Sequence, residues 1–417
     1  RCDARAWHRP SPRSLATLGM TGFVATSTLK TWTRPKRGCA FERLRLQLTP
    51  LRLSLALTML LLAAIAVPLQ GAEILVLLPL GNVSGDDAAP EQVRELLVKR
   101  VSARGWSIAP EGEVESILEA ERVRYLDSLP ASAREKLASQ FGAAAILTGT
   151  ILAWADGPDP VVALALRMTD ADGRVVWGEI VAASASEMEG LMGAGRAKTA
   201  AALAPRVIAR LTRQLPEPGA AARVAPGRGT SILRRDPPTF RSALHAQEEL
   251  RRICVLPFDS TTRNAARIIG EILTIRLAST GEFEVIEAAD FRGAMRAERF
   301  QSLIYMTSEE LARLEPHLGT TLFLRGNVHT FRQGRSGTTE IQLDMNLADV
   351  ASGEILWATT HQRRGIEYSG LFERGTIQSV ITLADRVVSE VVIAQANARP
   401  QGPTSNRSRS RLARGRQ

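Results

Sequence analysis

The sequence predicts an α/β (α+β) protein made of two tandem copies of a mixed β-sheet domain, with helices packed on each sheet, after an N-terminal signal segment. Three observations carry this prediction. Residues 118–123 (LEAERV) and 295–300 (MRAERF) share Ala120/Ala297, Glu121/Glu298 and Arg122/Arg299 at a spacing of 177. The match extends outward in one order, at offsets of 177 to 180, with differences confined to loops. Within each copy, short apolar runs alternate with stretches of helical period.

Each copy opens on a buried strand that ends at Pro, ILVLLP from Ile74 and ICVLPF from Ile253, because Pro cannot continue a hydrogen-bonded ladder. A polar turn follows, then a helix with apolar residues at i, i+3 and i+4: Val93, Leu96, Leu97 and Val101, matched by Ile268, Ile269, Ile272, Leu273 and Leu277. A Gly turn and short strand come next (GWSIA, GEFEVI), then the helix bearing the AER triplet. A third helix ends at Gly142 in one copy and Gly319 in the other, where a left-handed stop is expected. FGAAAILTGTILAW and LGTTLFLRGNVHTF then align, Gly149 on Gly326, and open a meander turning at Gly173 and Gly353. Trp177 and Trp357 sit on the last strands, and LAPRVIARL and LADRVVSEV form the closing helices. The domains are placed at 73–214 and 251–397. Between them residues 215–250, rich in Pro, Gly and Arg, form a linker, and residues 398–417 form a disordered basic tail.

Charge is segregated. Of the formal net +10, the first 72 residues account for +9 and residues 399–417 for +6, so residues 73–398 carry −5. A mildly acidic body argues against a nucleic-acid-binding fold, and no specific nucleic acid is expected as partner. Residues 1–72 are the leader. Residues 1–40 are read as disordered or as an over-extended reading frame, and 43–72 as a signal peptide or an uncleaved anchor: Arg43, Arg45 and Arg52 precede the apolar run 53–69. Cleavage is favoured because Pro68, Gln70 and Gly71 punctuate the run. It would place the body in the periplasm, and retention would tether it to the inner membrane. Membrane contact is expected only through an uncleaved leader or the basic tail.

The stretches VLPF (255–258), LPLGNVSGD (78–86), LGTTLFLRGNVHTF (318–331) and LADVASGEILWATTHQRR (347–364) resemble the TolB amino-terminal-like domains, the broad group that includes CsgG, FlgO and LpoB envelope proteins. The resemblance covers most of both copies and is fuller in the second. It implies a non-enzymatic envelope protein that acts by binding other proteins, as an accessory to secretion, flagellar or motor, or cell-wall machinery. The partners it implies are other envelope proteins or further copies of the chain, with no small-molecule cofactor. A CsgG-like membrane-tethered ring subunit is the alternative, and a nucleotide-binding protein or enzyme a remoter one. Two departures weigh against a secretion pore: no Cys follows the apolar leader, and neither copy has the long alternating segments a barrel needs.

No residue pattern points to catalysis, a cofactor or a metal. GLMGAGRAKT (190–199) lacks the Lys directly after the second Gly of a phosphate loop. Asp170 and Asp172 lie in a hairpin turn without a closing Glu. His245, His317, His329 and His361 are scattered singly, and Cys254 is alone in the body, where burial would leave it inert. The remaining candidates are interaction anchors: Trp177 and Trp357, which otherwise pack a sheet, and Arg122 and Arg299, which otherwise lie on a solvated helix face or tie it to the next loop.

Overall fold

The computed structural model describes residues 73–126, 128–188, 195–219, 239–241, 251–300, 306–334, 338–369 and 376–397. The leader, the basic tail, most of the linker, His245 and the GLMG loop lie outside them. In the first half the chain runs β1 (Ile74–Leu77), β2 (Gly81–Asn82), α1 (Ala89–Ser102), β3 (Ser107–Ile108), α2 (Glu111–Ala120), α3 (Ala131–Phe141), β4 (Ala143–Ala155), β5 (Val161–Thr169), β6 (Val175–Ser184) and α4 (Ala200–Leu211). After β7 (Thr239–Arg241) the second half follows with β8 (Arg251–Val255), β9 (Asp259–Ser260), α5 (Ala265–Ala278), β10 (Phe283–Ile286), α6 (Ala288–Ala297), α7 (Ser308–Leu318), β11 (Leu322–Arg332), β12 (Glu340–Asp349), β13 (Glu354–Arg364) and α8 (Val380–Asn397).

These elements form two mixed sheets, each packed with helices, as the tandem α+β expectation requires. Strand orders are β3-β1-β4-β5-β6 and β10-β8-β11-β12-β13-β7. Opening strands pair in parallel and the last three form an antiparallel meander. The polar turn expected after each Pro instead returns to the sheet: β2 pairs with β4 and β9 with β11. The linker also contributes more than a tether, since β7 pairs antiparallel with β13 and covers its edge.

The apolar faces explain how the layers stack. Helices α1 and α4 bury Val93, Leu97, Leu203 and Val207 against Leu75, Leu147 and Leu164 on one face of the first sheet. On its other face, α2 and α3 cover Val76, Leu78 and Ile146. The rest of that face, Leu152, Ala163, Ala165 and Ile180, is covered by the second half, whose α5 and α8 lie between the two sheets. Helix α5 can occupy this place because its apolar residues surround it: Ile268, Ile269, Ile272, Leu273, Ile275 and Leu277 are all buried. The far side of the second sheet carries α6 and α7 over Cys254 and Phe323. Cys254 is fully buried, and burial pushes its thiol far above the ordinary range, so it is inert at neutral pH.

Two glycines, Gly149 on β4 and Gly326 on β11, are each held close under a neighbouring side chain. The residue after each opening Pro folds over the long strand, Leu80 across Gly149 and Phe258 across Gly326; a Cβ on either glycine would stand 2.5 Å from that side chain. At Gly326 the Asp344 carbonyl oxygen is closer still. Gly142 (φ 59°) and Gly319 (φ 62°) close α3 and α7 in the left-handed conformation, as the sequence predicts.

Gly326→Ala should therefore lower the free energy of unfolding by about 1–3 kcal/mol in urea titrations, because backbone limits relaxation there. Gly112→Ala, whose added Cβ meets nothing within 4 Å, should be neutral or slightly stabilising in the same assay.

Candidate functional site

The AER triplets straddle the ends of their helices. Helix α2 stops at Ala120 and α6 at Ala297, and Arg122 (φ 52°) and Arg299 (φ 57°) take the left-handed position just past them. Val123 N–H donates to Leu118 O (2.9 Å) and Phe300 N–H to Met295 O (3.0 Å), which makes each turn a Schellman stop without glycine. The preceding glutamates tie each turn to the next helix. Glu121 accepts from Lys136 and from Ser132 (2.8 Å), while Glu298 accepts from His317 (3.0 Å) and Arg313 (2.6 Å). These donors hold both carboxyls below the ordinary range. The arginine side chains themselves are exposed.

Trp177 and Trp357 occupy equivalent strand positions and are both buried. Trp357 lies opposite Arg241 of β7, whereas Trp177 is on β6, the last strand of its sheet among the described residues. Neither pair of anchors is brought together with the other.

What the fold does bring together is a buried charge cluster at the seam between the sheets. Arg167, 4% exposed, extends from β5 of the first half. It holds Glu287 with two bonds (3.1 and 2.9 Å) and Glu271 of α5 with a third (2.5 Å). Thr150 donates to the other oxygen of Glu271 (3.4 Å). One guanidinium thus faces two carboxylates. Burial pushes the Glu287 carboxyl up, reinforced by the neighbouring Glu271 charge and only partly opposed by Arg167. Arg167 stays charged: the two carboxylates outweigh its burial and raise it further. Around the cluster, Arg134 pairs with Asp290 (3.0 Å), Arg276 links Glu179 and Asp385, and Asn264 donates to the Val83 carbonyl (3.0 Å).

Above this cluster opens a cavity of about 380 Å³. Its walls are Leu256, Phe258, Ile286 and Phe291, its floor is the Arg167 cluster, and Tyr125, Arg267 and Arg292 stand at its mouth. Arg292 stacks on Tyr125 at 4.6 Å and donates to Ser128 (2.8 Å). Sequence reasoning passed over Arg167 although a signal existed: it is the one charge in VVALALRMT, as Glu271 is in the apolar centre of α5.

His361, read as solitary, has company from α8. Its Nε2 lies 3.1 Å from Glu390, which also accepts from Tyr368 (2.8 Å) and Arg363 (3.3 Å). Burial pushes the Glu390 carboxyl up, but these partners outweigh it and hold it below the ordinary range. The cluster joins β13 to α8. His317 and His329 are each bound to one carboxylate, Glu298 and Asp344.

Compared with known proteins, residues 264–362, from the start of α5 to the end of β13, match the sequence model of the family described as peptidoglycan-synthase activator LpoB. Similar solved structures include the PelC dodecamer of Paraburkholderia phytofirmans (17% identity, TM-score 0.23, 34% of this chain and 86% of that one). Others are the lipoprotein GNA1162 of Neisseria meningitidis (21%, 0.22, 26% and 78%) and the LpoB C-terminal domain of Salmonella enterica (18%, 0.23, 28% and 85%). No curated protein sequence matches the chain. No helix among the described residues is long and apolar enough to cross a membrane.

Two measurements probe the seam. Arg167→Met should cost about 3–5 kcal/mol in urea unfolding, because it leaves two buried carboxylates unpaired, whereas replacing Arg167, Glu271 and Glu287 together with Met and Leu should recover most of that loss. The second is pH dependence. A carboxyl whose native pKa lies above its ordinary 4.5 binds its proton more tightly when folded, so its stabilisation is complete below 4.5 and is lost as pH rises through the raised native value. Glu287→Gln should flatten the fall in unfolding midpoint that accompanies a rise of pH above the ordinary carboxyl range, relative to the unaltered chain.

Proposed function

We propose that this is a non-enzymatic protein of the cell envelope, exported to the periplasm, that binds and regulates another envelope protein. The observation that carries the reading is the match of residues 264–362 to the LpoB family, whose description names an activator of peptidoglycan synthases. A peptidoglycan synthase is therefore the class of partner proposed. The two halves are read as copies of one domain of the TolB-like, CsgG, FlgO and LpoB group, supported by their common strand order and aligned glycines. One half supplies a rigid scaffold and both offer surfaces to the partner. Exposed Arg122 and Arg299 are proposed as peripheral contacts, and Trp177 and Trp357, buried on β6 and β13, as residues that pack the sheets. Chemistry by the protein itself has little support, since buried Glu271 and Glu287 are held by Arg167, buried Glu340 by Arg332 and Arg364, and buried His361 by Glu390.

Crosslinking in the native envelope followed by mass spectrometry should enrich a peptidoglycan synthase, and adding the purified protein to that synthase should raise its rate of glycan polymerisation. Failure to enrich any synthase, together with an unchanged polymerisation rate, would remove this reading.

A further inference from the structure

We propose that the open edge of β6 docks an extended segment of the protein partner, one that carries acidic residues ahead of its strand. The docking edge rests on the interaction reading above and gives the contact a place and a form. β6 ends the first sheet as β13 ends the meander of the second, yet β13 has a further strand beside it. That strand is β7, whose Arg241, Phe240 and Thr239 lie opposite Trp357, Ala358 and Thr359 in antiparallel register. Trp177, Gly178 and Glu179 hold the corresponding stretch of β6, and among the described residues no strand lies along its outer side.

The hydrogen-bonding phase of β6 shows which groups are available there. Ala185 N–H donates to Pro160 O (2.9 Å), and the β5–β6 register carries that phase along the strand. Residues 177, 179, 181 and 183 therefore bond to β5, while Gly178, Ile180, Ala182 and Ser184 turn outward. Side chains already cap the later part of this edge. Ile180 N–H donates to Glu179 (3.0 Å), Ser184 N–H to Glu187 (3.0 Å), and Thr382 of α8 donates to Ala182 O (3.1 Å). Gly178 is left with an outward N–H and C=O that have no partner among the described residues. Unpaired backbone at a sheet edge is what an added strand satisfies. The opening is as short as the stretch that β7 covers on β13.

Charge beside the opening defines the rest of the segment. A groove of about 320 Å³ runs along residues 179–182, lined by the end of α4 and by α5 and α8. Arg276 within it is bound to both Glu179 (3.3 Å) and Asp385 (2.6 Å). Arg210 and Arg213 also line the groove; both are exposed, and among the described residues no carboxylate pairs with either. A segment antiparallel to β6 sends the residues that precede its strand toward Ile180 and Ala182, beside these two arginines. Acidic side chains at those places supply the missing opposite charge.

The test uses the full chain and the fluorescein-labelled peptide Asp-Glu-Val-Thr-Phe-Arg-Ser, read by anisotropy. Its Thr-Phe-Arg repeats the triad of β7. The unaltered chain should bind it, and Arg210→Glu with Arg213→Glu should weaken binding about tenfold or more and remove most of its salt dependence. A thermal melt close to the unaltered chain's would show that this variant is folded. N-methylation of the peptide's Phe, whose N–H would bond Gly178 O, should weaken binding about tenfold or more. N-methylation of its Arg, whose N–H points away from β6, should change binding less than about threefold. Equal loss on methylating either position, equal binding by the charge-reversed variant, or no binding by the unaltered chain would overturn the docking edge. So would a dimer of the unaltered chain in sedimentation that charge reversal dissolves, since that outcome gives the edge to a second copy. If the charge-reversed variant still crosslinks to the same envelope proteins, the edge fails while the interaction reading survives; if the unaltered chain crosslinks to none, both fail.

Discussion

A guanidinium buried to 4% exposure in an apolar strand has to be met by partners, and among the described residues Arg167 holds two carboxylates that lie outside its own half. Both come from the second half, one from α5 and one from the residue that precedes α6. Removing a charge from water costs several kcal/mol per ion, and that cost is offset only while all three groups stay together. Separating the halves would expose the face of α5 and leave a charge stranded in the first sheet. The seam is thus specified by electrostatics as well as by apolar area, which fixes where α5 can sit.

Helices α1 and α5 each follow the opening strands of their sheet, and their compositions differ with their settings. At the positions where α5 places Glu271 and Ile275 against the first sheet, α1 places Glu95 and Lys99, an exposed ion pair at 2.7 Å. The sheets differ in the same sense. Leu152 in the first sheet is buried against the second half, while its counterpart His329 is exposed beside Asp344, as are Arg325 and Asn327 nearby. At these positions the apolar residues face the junction between the sheets, and their counterparts on the outward side are polar.

Against that background the seam is also where the two halves diverge most in chemistry. Arg94 and Glu111 close the gap between helices in one half; Gly270 and Ala288 leave it open in the other. The cavity has a rigid surround, since its walls belong to the cores of the second half and its floor is tied by hydrogen bonds among Arg167, Glu271, Glu287 and Thr150.

The order of elements was legible from the residues because it is a local matter: periodicity, Pro and Gly act within a few residues of themselves. The aligned glycines at 149 and 326 and the left-handed stops at 142 and 319 were visible for that reason. The placement of Arg122 and Arg299 was misjudged as helical, because a left-handed stop made by arginine lacks the glycine that announces one. The strand β7 was hidden in linker composition, since three residues are enough to cover an edge and too few to show a period. Most of the site was beyond reach of the sequence. Arg167 lies 104 residues from Glu271 and 120 from Glu287, and nothing along the chain pairs them. A cavity made by two small residues likewise has no signature of its own, because emptiness is a property of what surrounds it. The amino-acid order determined two sheets and their helices; only the packing of α5 between them decided where a buried charge would be neutralised and where space would be left.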